Sequence, residues 1–468
     1  MSIHLVSKRI WSLCHVLRDD GIVFHKFLSE LTYLLFLKIA EETGREDLLP
    51  DRCRWADLTA RTDGGMLGYY RKMLTILGED APDRVVREIF RFPTTVFNHE
   101  ENLRKVVDGI NAIDWHKAKS DGLGAVYESL LQRSVAEARS GAGQYFTPRP
   151  LVDAMVSVLQ PGLGETIQDP AAGTAGFLIS TQEYIAGKHT KAARKKKPPH
   201  YQAIEIEGDT YRLCLMNMFL HGMEGEFIHG DALTDDAAAL KAPDVIIANP
   251  PFGSSAGGAR ARRSDLPFPT SNKQLRFLQH IYLALKPGGR AAVVLPDNVL
   301  FEEGVGRRVR THLMETCDVH TLLRLPSGIF YAADVKTSVL FFSRPRKGEP
   351  ATQRMWVYDL RANMQRFRKG RNLTNEVFAD FVRLYGPDPL GRSPRDGASD
   401  PRFREFSRDE IAERHDNLDL RWLTEGRREE LDEREPEEIL AELVQTLKSA
   451  LGDVEGIVAE LERVSDGD

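Results

Sequence analysis

Residues 141–345 of this 468-residue chain predict an α/β domain built on a mostly parallel sheet, and three observations carry that expectation. Short runs rich in β-formers alternate with helix-length segments at 166–169, 203–206, 227–231, 244–248, 291–295, 321–325 and 338–342, the pattern of a doubly wound sheet. One of these runs, 244–248, is apolar at every position after Asp244, as in a strand covered on both faces. The last two runs are separated by Pro326-Ser327-Gly328-Ile329-Phe330-Tyr331 and little else. That is too short for a helical crossover, so they pair antiparallel. Seven strands, one of them reversed near the sheet edge, are expected.

Other elements follow in order. Residues 1–140 read as a helical domain, since Phe24, Phe27, Leu28, Leu31, Leu34 and Leu35 recur at helical spacing and Gly and Pro are sparse. Its last helix runs through Val126, Tyr127, Leu130 and Leu131 and breaks at Ser140-Gly141-Ala142-Gly143. Thr147 can cap a helix that Pro148 starts, with Leu151, Met155 and Val158 on one face. Beyond the sheet, residues 346–430 are polar and marked by Pro and Gly, which reads as a loop-rich extension. In 431–468, Leu440, Val444, Leu447, Leu451, Val454, Val458 and Leu461 are spaced by four and three, a coiled-coil seam for a partner helix. A helix packed within its own domain shows the same spacing, and Gly452 and Gly456 weaken it in isolation.

Composition bounds the function. Hydrophobic residues make up 42%, enough for real cores, and no apolar stretch reaches a membrane span: Leu31–Ala40 is short and contains Lys38. The first residues do not resemble a signal peptide, being broken by Lys8, Arg9, Arg18, Asp19 and Asp20, so a cytoplasmic protein without membrane partners is expected. Cys14, Cys53, Cys214 and Cys317 lack metal-ligand spacing, and neither zinc nor disulfides are expected. A net charge of −6 means that any grip on nucleic acid is local or shared. The densest basic segment, 188–200, reads as a solvated loop, with phosphate neutralisation as the alternative.

Chemistry concentrates where strands end. Asp169-Pro170-Ala171-Ala172-Gly173-Thr174-Ala175-Gly176 is a small-residue turn opening a helix, in which Gly173 and Gly176 permit close approach of a nucleotide-like ligand. A tight turn with no ligand would look the same. Glu205, after the second strand, is placed for ribose hydroxyls, with Glu207 as competitor. Asp231, after the third, could accept from an adenine amino group or cap a helix. Two prolines end the fourth strand as a stiff turn presenting the Asn249 amide, the Pro250 carbonyl and the Phe252 ring.

Taken together, GQYFTP, DPAAGTAGFL, IEIE, GDAL and ANPPF, in this order, resemble the gamma-type amino-methyltransferases that methylate N6 of adenine in DNA with S-adenosylmethionine. With the helical N-terminal domain and the run GAVYESLLQRSVAEARSGAGQYFTP, the chain resembles the modification subunits of type I restriction-modification systems. The resemblance implies a class I methyltransferase, Rossmann-like sheet. It implies cofactor contacts from Gln144, Tyr145, Phe146, Thr147, Asp169, Ala171, Gly173, Thr174, Gly176, Glu205, Asp231, Ala232 and Asn249, and no metal. Asn249, Pro250 and Phe252 would act on a flipped adenine, and Arg260, Arg262, Arg263 and Phe330 are candidate DNA contacts, the three arginines lying in a Gly/Ser/Arg stretch most simply read as a mobile loop and Phe330 being equally readable as a core aromatic. Ala175 departs from the family, where glycine is common. The resemblance further implies double-stranded DNA, a specificity subunit flanked by two modification subunits, and a restriction subunit as partners, because no base-reading domain is visible in the chain.

Two other readings stand beside this one. NPPF-like turns also serve methyltransferases acting on RNA or on protein glutamine, and a chain of this organisation could be an inactive DNA-binding or assembly scaffold. The target sequence is not encoded in any motif here.

Overall fold

The computed structural model describes residues 3–13, 24–61, 64–115, 122–137, 147–253, 263, 265–326, 328–330, 335–361, 373–395, 397, 400–423, 440, 444, 447 and 451. The chain forms two compact units, one of 1–143, 173–175 and 207–224, the other of 144–172, 176–206 and 225–468.

The first unit is helical, as its spacing predicts. It contains α1 (Ile3–Ser12), α2 (Phe24–Thr43), α3 (Trp55–Thr59), α4 (Met66–Asp80), α5 (Arg84–Ile89), α6 (Glu100–Asn111) and α7 (Leu123–Glu137). α2 is its central rod: Phe27, Leu28, Leu31, Leu34 and Leu35 are buried, and so are Glu30 and Thr32 on the same helix. Those polar groups are satisfied across the core. Thr32 bonds the Tyr127 hydroxyl at 2.8 Å, while Glu30 accepts from the Tyr70 hydroxyl at 2.6 Å and from the Val96 N–H at 2.7 Å.

The second unit carries α8 (Arg149–Leu159), β1 (Thr166–Asp169), α9 (Gly176–Lys188), α10 (Lys191–Lys196) and β2 (His200–Glu205). The chain then passes through α11 (Gly208–Leu220), which belongs to the helical unit, before β3 (Gly225–His229), β4 (Val245–Ala248), α12 (Lys273–Ala284) and β5 (Arg290–Pro296). It continues with α13 (Asn298–Phe301), α14 (Val305–Thr316), β6 (Asp318–Arg324), β7 (Thr337–Ser343), β8 (Arg354–Asp359), α15 (Glu376–Tyr385), β9 (Phe403–Ser407) and α16 (Arg408–Glu413). The strand order is β3-β2-β1-β4-β5-β7-β6-β8-β9. β7 runs antiparallel to both β5 and β6, which is the reversed strand the short connection requires.

Among the described residues the sheet has nine strands rather than the seven expected. β8 pairs parallel with β6, and β9 antiparallel with β8, so the segment read as a loop-rich extension widens the sheet. Its strands are short and flanked by Pro and Gly, which hid the signal. Met355, Val357 and Tyr358 are nonetheless buried, and Trp356 lies tilted against Phe403 with ring centroids 4.6 Å apart. The basic segment is also more ordered than a loop, since α10 is capped by Thr190, whose hydroxyl accepts from the Ala193 N–H at 3.3 Å. Among the described residues no helix is long and apolar enough to cross a membrane, and Cys53, Cys214 and Cys317 are buried thiols; Cys14 lies outside the described residues.

Candidate active site at the carboxyl edge of the sheet

Strand order sets the site. β1 and β4 are neighbours, β2 and β3 lie to one side and β5 to the other, so the chain reverses its direction of travel across the sheet between β1 and β4. Ligands of open α/β sheets bind at the carboxyl ends beside such a switch point. The four ends met there carry Asp231, Glu205, Asp169 and Asn249.

Asp169 is fully buried. Its Oδ1 accepts from the Ala171 N–H at 3.1 Å, whereas Oδ2 has no hydrogen-bond partner. Burial, and secondarily the charge of Glu205, push its carboxyl up to about 8. A carboxyl held so far from water is satisfied by a donor, above all a cationic one, arriving beside it.

In the turn after β1, Gly173 has φ +54° and Ala175 φ +69°. Alanine in the left-handed region costs about 1–2 kcal/mol relative to ordinary backbone, so Ala175 holds this turn under strain. Asn217 of α11 secures the turn, donating to the Thr174 carbonyl at 2.8 Å. A Cβ added at Gly176 would meet nothing within 4 Å, leaving open space at the start of α9.

Glu207 caps α11, accepting from the N–H groups of Asp209 at 3.1 Å and Thr210 at 2.6 Å. Glu205 is thereby the carboxylate at the end of β2. Ile206 follows it at 47% exposure, an apolar surface at the site that sequence reasoning passed over, although its place in IEIE marks it. Asp231 accepts from the Leu233 N–H at 2.9 Å in a local turn and is not a helix cap, since Thr234 caps the 3₁₀ turn that follows.

Asn249 is 8% exposed. Its Nδ2 donates to the Thr147 hydroxyl at 3.0 Å, and its Oδ1 has no partner. Thr147 is therefore not the cap of α8. Pro148 occupies the N-cap position and Pro150 lies in the first helical turn, which moves Thr147 one residue out and frees its hydroxyl for Asn249. After Pro250, which is buried, and Phe252, which is half-buried, the turn is fixed at Gly253, whose carbonyl accepts from the Lys273 N–H at 3.1 Å.

The remaining candidates divide. Gln144, Tyr145, Phe146, Arg260 and Arg262 lie outside the described residues. Arg263 is turned away from solvent: its Nε donates to Asp265 at 2.7 Å, its Nη2 to the same carboxylate, and its Nη1 to His280 Nδ1. His280 is buried beside that cation, and both effects push its imidazole down to about 3. Phe330 is 7% exposed, as a core aromatic would be. Ala232 is buried and Ala171 and Thr174 are half-buried.

An ionic brace beside the site was not anticipated. At the end of β5, Asp297 takes both Arg361 Nη groups, at 2.6 and 2.9 Å, and the Ser338 hydroxyl at 2.9 Å. Arg361 also donates to the Leu325 and Thr337 carbonyls, tying together the ends of β5, β6, β7 and β8. Arg361 keeps the Asp297 carboxyl below the usual range against the opposing effect of burial.

The family profile described as N-6 DNA Methylase matches residues 118–432. The chain is 40% identical to the type I restriction enzyme EcoKI methylase subunit of Escherichia coli strain K12, over 98% of this chain and 95% of that protein. Among solved structures it is similar to the EcoKI M protein, with 37% identity, a TM-score of 0.56, and 97% and 96% of the two chains covered. It is also similar to a chain from a study of complex assembly and conformational transition of the type I R-M system, with 26% identity, a TM-score of 0.76 and 98% of each chain covered. A sheet of this order, a switch point between β1 and β4 and similarity over nearly the full length agree, and the chain belongs to the N-6 DNA methylase family as a type I restriction enzyme methylase subunit.

Proposed function

We propose that this chain transfers a methyl group from S-adenosylmethionine to N6 of an adenine in duplex DNA, and that Asn249 carries the chemistry. The observation behind this reading is the Asn249 amide, nearly buried, fixed through its nitrogen by Thr147 and left with its oxygen unpartnered. An adenine amine is a poor nucleophile because its lone pair is delocalised into the ring. The Asn249 oxygen and the Pro250 carbonyl would each accept one N–H, favouring a localised lone pair. Those bonds strengthen as positive charge develops on nitrogen, so they stabilise the transition state more than the ground state. Phe252 would stack on the base, and a stacked base recovers roughly 1–3 kcal/mol of the cost of flipping.

The residues present fit the cofactor. Asp169 offers a buried carboxylate oxygen lacking a donor, suited to the cofactor's ammonium; Glu205 suits ribose hydroxyls, and Ile206 and Asp231 suit the two aspects of an adenine ring. Gly173, Thr174 and Gly176 would line its approach, with Gln144, Tyr145, Phe146, Ala171 and Ala232 carried by the family resemblance. When bound, the cofactor supplies an electrophilic methyl group on sulfur. Everything else is positioning and charge stabilisation by this chain.

Target choice belongs to a separate specificity subunit in this reading, with two modification subunits around it and a restriction subunit able to join. It is supported by the described residues of the C-terminal tail: Leu440, Val444, Leu447 and Leu451 are helical and 65, 40, 60 and 59% exposed, a row awaiting a cover. The test of function is Asn249→Ala, measured by labelled methyl transfer to DNA, RNA and protein with the specificity subunit present. DNA alone should be labelled by the parent, and the variant should lose transfer while binding cofactor nearly unchanged. Unimpaired turnover in the variant would overturn the assignment.

A further inference from the structure

The edge of the sheet opposite the active site carries a concentration of positive charge that the catalytic reading does not use. Six of the residues in 188–200 are Lys or Arg and none is acidic, in a chain of net charge −6. They end α9, supply most of α10 and lead into the amino end of β2. Among the described residues, Lys191, Lys195, Lys196 and Lys197 make no ion pair, nor do Arg346 and Lys347, which follow the end of antiparallel β7 on the same edge. The acids nearby are paired with other cations, Glu165 with Arg290 at 2.8 Å, Asp244 with Lys286 at 2.7 Å and Glu349 with Arg392 at 3.0 Å, although Glu349 also accepts from the Arg346 backbone N–H at 2.8 Å.

The cations are laid along the edge rather than splayed from one loop. A Cβ at Gly164, before β1, would stand 2.3 Å from Lys197 Cε, and one at Gly288, before β5, 2.8 Å from Arg346 Nε. Lys197 and Arg346 thus lie against turns at two strand ends, at glycines whose positive φ, +70° and +84°, the turns themselves require. Stability does not explain the arrangement. A six-residue helix is marginal by itself, and like charges three and four residues apart cost a few tenths of a kcal/mol each, about what its C-terminal dipole returns.

We propose that this amino edge is a second, sequence-independent contact surface for the phosphate backbone of duplex DNA. The chemistry favours DNA over a protein. Protein interfaces are depleted in lysine and anchored by aromatic or aliphatic residues, and the exposed large hydrophobics among the described residues, such as Ile206 and Phe301, lie off this edge. Lysines act as point charges on phosphates. Strands of four to seven residues, at about 3.3 Å per residue, separate this edge from the catalytic turn, so a straight duplex bound across one does not lie on the other. The surface therefore takes DNA away from the target base, from a duplex that curves round or a second segment. The proposal rests on the function above only in naming DNA as the polyanion this chain meets.

The test is a full-length chain with Lys195→Glu, Lys196→Glu and Lys197→Glu, beside a second variant with glutamine at the same three positions. Binding of a long fluorescent duplex lacking any target site is followed by anisotropy across a salt series, and methyl transfer to a short target duplex is measured with the specificity subunit. The glutamine variant should flatten the slope of log affinity against log salt by about 0.9 per lost contact, roughly 2 to 3 in all. The glutamate variant should bind more weakly still, and both should keep parental methyl transfer, which separates this outcome from failure of the active-site assignment. Parental slope and affinity in both variants would overturn the proposal. So would absence of any binding by the parent at low salt, or a loss confined to binding of an oligoglutamate peptide.

Discussion

Thr147→Val is the perturbation that most directly separates positioning from cofactor binding at this site. Valine keeps the volume and the β-branch but removes the oxygen that accepts the Asn249 Nδ2 hydrogen at 3.0 Å. Asn249 is only 8% exposed, so its amide N–H loses a partner that water does not readily replace, at about 1–3 kcal/mol. In the resting chain the amide relieves that penalty by turning, and the turned state presents N–H where the base needs an acceptor. If the penalty falls on the transition state, kcat drops by about 5- to 160-fold at 1.36 kcal/mol per decade. Thr147→Ser retains the hydroxyl and should restore most of the rate. The assay is methyl transfer at saturating DNA with the cofactor varied, alongside direct cofactor titration. A lowered kcat with nearly unchanged cofactor affinity is expected; a raised cofactor KM at parental kcat would refute the positioning role and return Thr147 to the cofactor.

The other expectations concern charge and assembly. Asp169, pushed up to about 8, is protonated in the free chain at neutral pH and ionised opposite an ammonium, so cofactor binding should release about one proton there and tighten as pH rises towards 8. Calorimetry in buffers of different ionisation enthalpy measures this, and buffer-independent heats would contradict it. Glu30, buried and raised from 4.5 to about 7, holds its proton more tightly folded than unfolded. Its contribution to stability is therefore full below pH 4.5, declines between 4.5 and 7 by about 3 kcal/mol and is flat above. Glu30→Gln, which can still accept from Val96 and donate to Tyr70, should abolish that decline in denaturant midpoints; an unaltered pH profile would exclude Glu30 as its source. Leu447→Asp with Leu451→Asp changes exposed positions and should alter thermal unfolding of the isolated chain little, while co-purification with the specificity subunit is lost. Retained binding would move the docking surface elsewhere.

What the sequence made legible was what local pattern and stiff backbone dictate. β4, β5 and β7 announce themselves as apolar β-rich runs, the other early strands through their alternation with helices, and Pro250 and Pro251 announce the turn after β4. β8 and β9 did not, because their pairing partners, β6 and each other, are what make them strands. Buried Gln168 and Gln202 likewise look wrong for a sheet interior until Gln168 is seen to donate to Gln202 at 3.1 Å and Gln202 to Glu226 at 2.8 Å. At the site, the residue types were legible and their tasks only partly so. Thr147 reads locally as a helix cap, and nothing near it in the sequence mentions Asn249, 102 residues away. Asp297 and Arg361 are 64 residues apart, and the pattern around either one is that of an ordinary surface charge.

α11 has a consequence for how the protein comes into being. It is the connection between β2 and β3, yet it belongs with the helical unit, where Arg212 donates to the Ile89 and Arg91 carbonyls and lies over the Tyr33 ring. On the ribosome, the helices α1 to α7 emerge before it and lack this neighbour while β1 and β2 are made. Neither unit is finished by the time its own opening stretch has been translated, so each must hold open a place for chain that arrives later. A gene fragment ending at residue 140 would encode helices lacking the piece that closes them, and one beginning at 141 would carry a helix with no home. A cut at the boundary near residue 140 therefore separates α11 from the helices it packs with.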